Sequence, residues 1–444
     1  MKRMENIAES TVETALSHGA ETAEVALSEI SEFKVDIRNN RIETLKESVS
    51  SEIQILLSVD KKRASVTSND LSGESIRKLI KEGVELCRFT EKDKYYSLPD
   101  RKELGSTKSE LEIFDSEILR LPPKRKIKIA KELEETAHKM DARIVTDTSS
   151  YSNVTGKRVL ANSLGFCESY NQSYNVTSLS CAAEDNGNGK TPGRKQSSFW
   201  YSAAASFRRL DPVEITAAEA VKRTLRKLGS RKPKTCKVPI VFDPFTSSRF
   251  IAYLANAVRG NNIYKKASFL AGLVGETIAP SYITLIDDPL IRGKIGSRPF
   301  DGEGVISRKN NVVEKGILKT YLMDTYEANK LNSSTTGNSG GISNFYMVPG
   351  DYSEKELISS IDSGIYITSL SGQGANWSTG DFSQGAEGLW IENGKITYPV
   401  NGFTITGTFA DMLKNIEMVA DNIEWKSHVA APSFKISNIV ISGD

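Results

Sequence analysis

Histidine is scarce in this sequence. The 444 residues contain three histidines, His18, His138 and His428, which lie far apart along the chain. No two of them have the spacing of a zinc-binding helix motif such as HExxH. A metal site built from residues distant in sequence stays open, although no local pair is present to begin one.

Cysteine is almost as scarce, and its four copies are never close neighbours. Cys87, Cys167, Cys181 and Cys236 form no CxxC motif, which argues against a zinc knuckle or a thioredoxin-like redox site. Scattered cysteines are typical of a reducing compartment. The first ten residues, MKRMENIAES, lack the apolar run of a signal peptide or a membrane span. The sequence therefore predicts a cytoplasmic protein without membrane contact.

An excess of one charge is also missing. The formal net charge is +2, which gives no electrostatic reason to expect a nucleic-acid partner. The basic runs at 124–128 and 231–234 are not interleaved with aromatic residues, as a single-strand binder would require. Apolar residues make up 39% of the chain and charged residues 26%, which predicts a soluble globular protein. Its length favours two domains.

The first half of the chain predicts mixed α and β structure. A helix over 4–20 precedes alternating apolar segments that are separated by turns at Asn39-Asn40 and at 60–62. Helical spacing returns at 76–87 and 124–140, and 143–183 has strand character. The stretch 184–195 is polar and rich in glycine, and predicts a hairpin tip. Another helix begins at Asp211-Pro212, with Asp211 as its N-cap.

The second half is richer in glycine and in short strands. Asn393-Gly394 is the strongest hairpin signal, and Thr408–Val419 predicts a helix with a capping box from Thr408 and Asp411. We expect an α+β protein in which an N-terminal mixed domain with antiparallel strands (1–228) is joined by a basic linker (229–239) to a strand-rich C-terminal domain (240–444).

One segment raises a question about chemistry. Residues 379–400, TGDFSQGAEGLWIENGKITYPV, predict a glycine-shaped loop followed by a hairpin over 389–400. Asp381, Ser383 and Glu387 could be catalytic, or could bond back to the backbone and close the loop. With no histidine nearby, the second interpretation is favoured. We therefore assign a peptide- or partner-binding role to six residues of this segment: Gly380, Asp381, Phe382, Ser383, Gly385 and Gly388.

Two further patterns resemble catalytic motifs. GNSGG at 337–341 is similar to the nucleophile loop of serine proteases, but Ser339 would need a histidine base. The carboxylates of Asp287, Asp288, Asp301, Glu303 and Asp324 could serve hydrolysis or bind a hard cation, although Asp-Asp-Pro and Asp-Gly-Glu-Gly are also typical of turns. The sequence favours a structural role for both patterns.

Together, several segments resemble the TldD/PmbA family, in order and over nearly the whole chain. They are LANSLGF (160–166), FLAGLVGE (269–276), DDP (287–289), FDGEGV (300–305), GILKTYL (316–322), STTGN (334–338) and the block 380–400. The last block is the most specific, and the match is closer to the PmbA (TldE) branch. The resemblance implies a two-domain α+β fold and a cytoplasmic assembly that cleaves unfolded peptides. It also implies that a TldD-like subunit carries zinc on an HExxxH helix and a C-terminal cysteine.

The metal-binding residues of that family have no counterpart here. The segment RFIAYLANAVRGN (249–261) aligns with the metal helix, which puts Ile251 and Asn256 at the histidine positions and Ala252 at the glutamate position. Near the C-terminus, HVAAPSFKIS offers Ser433 and Phe434 but no cysteine. Since a catalytic zinc needs about three protein ligands, we expect no cofactor in this chain and zinc only in a TldD-like partner.

Three functions remain in competition. The first is a non-catalytic PmbA/TldE-like subunit of a metallopeptidase complex, with a TldD-like chain as partner and extended peptides as substrates. The second is a homodimeric peptide- or protein-binding module without hydrolase activity. The third is a hydrolase of another class that uses Ser339 or the carboxylates.

Overall fold

The first half of the chain forms one antiparallel sheet. The computed structural model describes residues 3–184 and 195–443, so most of the predicted hairpin tip, 185–194, lies outside the described residues. The strands of this sheet are β1 (Thr22–Arg38), β2 (Arg41–Val59), β3 (Lys62–Ser68), β4 (Ile144–Asn162), β5 (Cys167–Glu184) and β6 (Lys195–Ala204). Their spatial order is β3-β2-β1-β4-β5-β6, and every neighbouring pair is antiparallel. Asn39 and Asn40 form the predicted turn, with φ of 51° and 59°.

Helices cover one face of this sheet. They are α1 (Arg3–Ser17), α2 (Gly73–Phe89), α3 (Pro123–Met140) and α4 (Val213–Leu225), with short 3₁₀ turns at Arg101–Glu103, Ser116–Arg120 and Phe207–Arg209. One part of the core includes Val25 and Leu27 of β1, and α3 packs farther along the same strand, against Phe33 and Val35. The predicted cap of α4 is wrong. Pro212 occupies the N-cap position without a side-chain bond, because Asp211 instead pairs with Lys426 at 2.9 Å.

The second half contains shorter elements. Its strands are β7 (Cys236–Phe242), β8 (Leu285–Asp287), β9 (Asn310–Glu314), β10 (Ile317–Leu318), β11 (Phe345–Met347), β12 (Ser363–Ser371), β13 (Asp381–Glu392), β14 (Lys395–Thr408), β15 (Ile416–Val419), β16 (Val429–Ala430) and β17 (Phe434–Ser442). Its helices are α5 (Pro244–Ala257), α6 (Gly260–Tyr264), α7 (Thr325–Lys330), α8 (Glu354–Ser359) and α9 (Phe409–Lys414). Together with the first sheet, these elements confirm the predicted α+β class.

Five of these strands close into a barrel. The order β14-β13-β12-β7-β17 is completed by pairing of β14 with β17, and β15 extends the sheet beside β17. Phe250 of α5 packs within 5.1–5.8 Å of the rings of Phe242, Phe382, Phe409 and Phe434. The large aromatic core therefore fixes α5 against the barrel. A second sheet has the order β10-β9-β8-β11-β16.

Two local predictions have different outcomes. Asn393-Gly394 does form the hairpin tip between β13 and β14, with φ of 49° and 72°. The helix predicted over 408–419 is too long. The Thr408 hydroxyl does cap it by accepting from the Asp411 N–H at 3.1 Å, but α9 ends at Lys414 and the following residues form β15 with β17. Long-range pairing has overridden the helical spacing.

The segment predicted as a linker is held in place. Arg231 donates its backbone N–H to Pro399 O at 3.0 Å, and Asn401 donates back to Arg231 O. Strand β7 begins at Cys236, before the predicted end of the linker. The division into domains at 228 and 240 stays a prediction.

Candidate functional site

Helix α5 is positioned by a buried carboxylate. Asp243 is 1% exposed, and its Oδ1 accepts the N–H of Thr246 at 2.8 Å, which caps the first turn. Its Oδ2 lies 3.1 Å from Arg223 Nη2 on α4. Burial raises the pKa of Asp243, and the Arg223 guanidinium opposes that shift. The start of α5 is thus tied to the helical layer of the first half.

A cleft of about 240 Å³ lies beside α5. Its walls are formed by one side of α5, by the segment 424–429 and by Tyr201 of β6. Phe245 and Tyr201 provide an aromatic wall, with ring centroids 6.4 Å apart. Arg249 and His428 also line it. We call this space the cleft.

The aligned metal positions divide between the cleft and the core. Ala252 and Asn256, which we predicted to stand at the glutamate and second histidine positions, both line the cleft. Ile251, predicted to stand at the first histidine position, is fully buried in the hydrophobic core. Asn256 Nδ2 donates to Ala252 O at 2.9 Å, so that side chain is bonded along its own helix.

The cleft does not present the donors of a catalytic zinc site. His428 is its one histidine, and desolvation lowers the pKa of that ring. Within residues 3–184 and 195–443, no group of three or more His, Cys, Asp or Glu side chains is arranged to hold a metal ion. The residues present therefore do not fit the metal that the family implies.

The C-terminal positions that lack a cysteine have structural contacts. Ser433 is fully buried; its hydroxyl donates to Glu354 Oε1 at 2.8 Å and its N–H donates to Asn422 Oδ1 at 2.9 Å. Phe434 packs in the barrel core against Phe242. Both residues anchor β17.

The six residues assigned from the block 380–400 do not line the cleft. The predicted loop is wrong, because Asp381–Glu392 is the continuous strand β13, and only Gly380 lies in the preceding turn, with φ of 85°. Asp381 is exposed and accepts the Thr379 hydroxyl at 2.6 Å. Ser383 is also exposed and donates its N–H to Gly374 O at 2.8 Å.

The other residues of that block serve the packing of the barrel. Phe382 is fully buried in the core. A Cβ on Gly388 would lie 2.4 Å from Tyr366 O, and a Cβ on Gly385 would lie 2.7 Å from Ser371 Oγ. These glycines allow a close approach of β12 and β13, which the sequence presents only as glycine punctuation.

The GNSGG segment is a carboxylate-bound loop. Asp301 Oδ2 accepts the Ser339 N–H at 2.8 Å, and Asp287 accepts Asn338 Nδ2 and Ser343 N, each at 2.7 Å. Among the described residues, no histidine forms a hydrogen bond with Ser339. That part of the chain therefore does not contain the arrangement of a serine nucleophile and its histidine base at Ser339.

Four carboxyl groups lie close together where the first sheet meets the second half of the chain. We call them the acidic joint: Glu24, Asp301, Glu303 and Asp324. Burial, reinforced by Asp301, raises the pKa of Glu24 to about 8. Burial and the charges of Asp301 and Asp324 raise the pKa of Glu303 well above its usual range. Sequence reasoning missed Glu24, because nothing in its local pattern distinguishes it from a solvent-facing strand residue.

Polar groups surround the acidic joint, but not every polar atom among them has a hydrogen-bond partner. Asn162 lies directly opposite Glu24 on β4, and its Nδ2 is buried without a hydrogen-bond partner. Across the same contact, Tyr326 donates its hydroxyl to Asp93 at 2.7 Å, and Arg63 lies 4.7 Å from the Tyr326 ring. The joint is therefore polar and holds carboxyl groups in a position that favours their protonated form.

Three family models match successive parts of the chain. They describe domain 1 (23–87), the central domain (116–228) and the C-terminal domain (235–443) of the PmbA/TldA metallopeptidases. No helix among the described residues has both the length and the apolar character needed to cross a membrane.

Individual relatives align with this chain over nearly their full length. Metalloprotease PmbA of Escherichia coli O157:H7 is 30% identical, with 98% of this chain and 96% of that protein aligned. A crystal structure from Bacteroides thetaiotaomicron, described as a candidate modulator of DNA gyrase, has a TM-score of 0.93 and 30% identity, covering 100% of both chains. TldE from Thermococcus kodakarensis has the same fold, with a TM-score of 0.87 at 23% identity over 98% of this chain and 100% of that one. The chain belongs to the PmbA/TldD family.

Proposed function

We propose that this chain is the non-catalytic, PmbA/TldE-like subunit of a cytoplasmic metallopeptidase complex that processes unfolded peptides. One observation carries the proposal. The cleft beside α5 presents Ala252 and Asn256 where the family's metal helix would present a glutamate and a histidine. Alanine has no lone pair for a metal or a proton, so a partner subunit must supply both the zinc and the general base.

The experiment compares three preparations: the purified chain, a TldD-like subunit from the same organism, and the two co-expressed. We expect the chain alone to contain no stoichiometric zinc and to leave an extended fluorogenic peptide uncut, and the co-expressed pair to cut it. Replacing the HExxxH glutamate of the TldD-like subunit should abolish that activity. Stoichiometric zinc together with hydrolysis by the isolated chain would overturn the proposal.

The composition of the cleft suits peptide binding, which supports a second candidate, a homodimeric peptide- or protein-binding module without hydrolase activity. An aromatic wall at Tyr201 and Phe245 faces polar groups such as Arg249, a combination that suits a peptide side chain and its backbone. Fluorescence anisotropy with labelled extended peptides would test it. Saturable binding by the chain alone, weakened by Phe245→Ser, would favour this function over a role that needs a second subunit.

A further inference from the structure

Strand β2 has a long edge without a neighbouring strand. β3 pairs with β2 only from Ile53 onward, so within the described residues 42–52 are bonded to β1 on one side and to no strand on the other. We call residues 42–52 the free edge. An edge of this length displays a row of unpaired backbone N–H and C=O groups, which is a template for another strand.

One face of the free edge is apolar. Ile42, Leu45 and Val49 are 47%, 54% and 70% exposed. They lie opposite Ile37, Val35 and Ser31 of β1, and so on the face of the sheet that α3 covers farther in. The helical layer stops before reaching them, which leaves the apolar stripe uncovered at the edge.

Charge sits at the centre of the free edge. Lys46 is paired with Glu32 of β1 at 2.6 Å on the other face. Glu47 lies between Leu45 and Val49 on the apolar face and has no ion pair within the described residues. The ammonium of Lys126 lies 4.5 Å from the centre of the Phe33 ring. It attracts the Glu47 carboxylate electrostatically but does not form an ion pair with it among the described residues.

This arrangement disfavours a second copy of the chain. In a two-fold antiparallel pair, one residue of each strand faces the same residue of the other copy. Pairing along the whole free edge places that position at Glu47, the midpoint of 42–52, and a register shifted away from β3 places it at Lys46; both registers set like charges directly opposite each other. Registers shifted toward Ile53 would collide with β3, which already occupies that part of the edge.

We propose that the free edge binds a strand of a different polypeptide, one with a lysine or arginine opposite Glu47 and apolar side chains opposite Leu45 and Val49. Backbone bonding would supply affinity, and the alternating apolar–basic–apolar pattern would supply selectivity. The free edge would then be the contact through which the chain holds an unlike subunit, and in this the proposal rests on the proposed function.

The variant Glu47→Lys tests whether a basic residue opposite Glu47 promotes strand pairing at the free edge. In an equimolar mixture of variant and wild type, the central like-charge pair becomes an opposite-charge pair, with Leu45 against Val49 on both sides. We expect the two proteins to associate at least about tenfold more tightly with each other than either does with itself. Sedimentation velocity with one protein fluorescently labelled measures this directly.

Two controls keep the test specific. Glu85→Lys makes the same charge change at an exposed position of α2 and should leave association with the wild type unchanged. Adding Val49→Ser to both members of the mixture should weaken their association, while unchanged melting temperatures show that the variants fold. A mixture no tighter than the wild type alone, or an equal effect of Glu85→Lys, would overturn the proposal. Because no metal-bearing subunit is used, this result is independent of whether peptidase activity is reconstituted.

Discussion

The cleft and the acidic joint differ in the kinds of ionisable group that they contain: cationic and anionic side chains, among them Arg249 and Glu424, line the cleft, whereas the joint consists of carboxyl groups alone. The cleft lies beside α5, the helix that the sequence resemblance aligns with a metal helix, yet the side chains that α5 presents there include Ala252 and Asn256, and the described residues offer no metal-binding cluster. The acidic joint instead collects Glu24, Asp301, Glu303 and Asp324 at a contact between the two halves. None of these four carboxyl groups lines the cleft, so the densest group of buried acids lies apart from the helix that resembles a metal helix.

The largest expected effect comes from Asp301→Ala in the acidic joint. Asp301 is 3% exposed and accepts the N–H groups of Ser339, Glu303 and Val305 at 2.8–3.0 Å. Removing the carboxylate leaves three donors without an acceptor, which we expect to cost about 3–5 kcal/mol of unfolding free energy. Urea unfolding followed by tryptophan fluorescence measures the loss.

Asp288→Ala is the matched control. Its side chain accepts one backbone N–H, that of Leu290 at 2.8 Å, so its loss should be about 1 kcal/mol. Equal losses for the two variants would show that Asp301 does not organise the joint through its backbone bonds.

Introducing histidines on α5 tests whether positions 252 and 256 converge in the cleft closely enough to coordinate a metal. Ala252 and Asn256 are four residues apart on α5 and face the same space, as His428 does. The double variant Ala252→His/Asn256→His should bind zinc at least about tenfold more tightly than the wild type, because two imidazoles on one helix face can share a metal. Isothermal titration calorimetry gives the affinities, with Asn256→His alone as the control. If the double and single variants bind zinc equally, the two positions do not converge in the cleft.

Local sequence patterns predicted much of the fold, because strands and hairpins leave short-range traces. The alternation along β1 and the Asn39-Asn40 and Asn393-Gly394 turns were all readable. The loop assigned to 380–388 failed because Gly388 is required by contact with Tyr366 on another strand. The helix to Val419 failed because β15 pairs with β17. Such choices are made by distant neighbours that a single sequence does not reveal.

The candidate site was predictable to a different degree. The position of Ala252 and Asn256 followed from the family resemblance, and the structure places both in one cleft. The acidic joint was not predictable, because Glu24 and Asp301 become neighbours only when the first sheet packs against the second half of the chain. Residues four apart on one helix share a face because of helix geometry, so their proximity can be predicted from sequence. The proximity of Glu24 and Asp301 depends on how distant parts of the chain pack, which the sequence alone does not reveal.

The acidic joint should also make stability depend on pH. The pKa of Glu24 is about 8 in the folded protein against an ordinary value of 4.5, so the folded state holds the proton more strongly than the unfolded state does. Its contribution is full below pH 4.5 and is lost as the pH rises toward 8. Over this window we expect a loss of about 1–3 kcal/mol, reduced from the ideal value because water reaches part of the side chain.

Glu24→Gln should remove that dependence. The variant should melt higher than the wild type at about pH 9 and differ less at about pH 5, since the amide stays neutral at both. Glu29→Gln, at an exposed position of the same strand, should leave the pH profile unchanged. Parallel profiles for Glu24→Gln and the wild type would place the pH-sensitive group elsewhere.

The smallest expected effect is at Asp381, the polar residue that first suggested chemistry. It is exposed, and among the described residues its side chain accepts a bond only from the neighbouring Thr379 hydroxyl, so Asp381→Ala should change the unfolding free energy by less than about 0.5 kcal/mol. Gly388→Ala on the same strand is the contrast, because its Cβ would meet Tyr366 O at 2.4 Å and should lower the melting temperature markedly. Measuring association with a TldD-like subunit for Asp381→Ala then separates two roles. Weaker association with an unchanged melting temperature would assign Asp381 to a partner surface, whereas a fall in melting temperature like that of Gly388→Ala would make it part of the barrel's own packing.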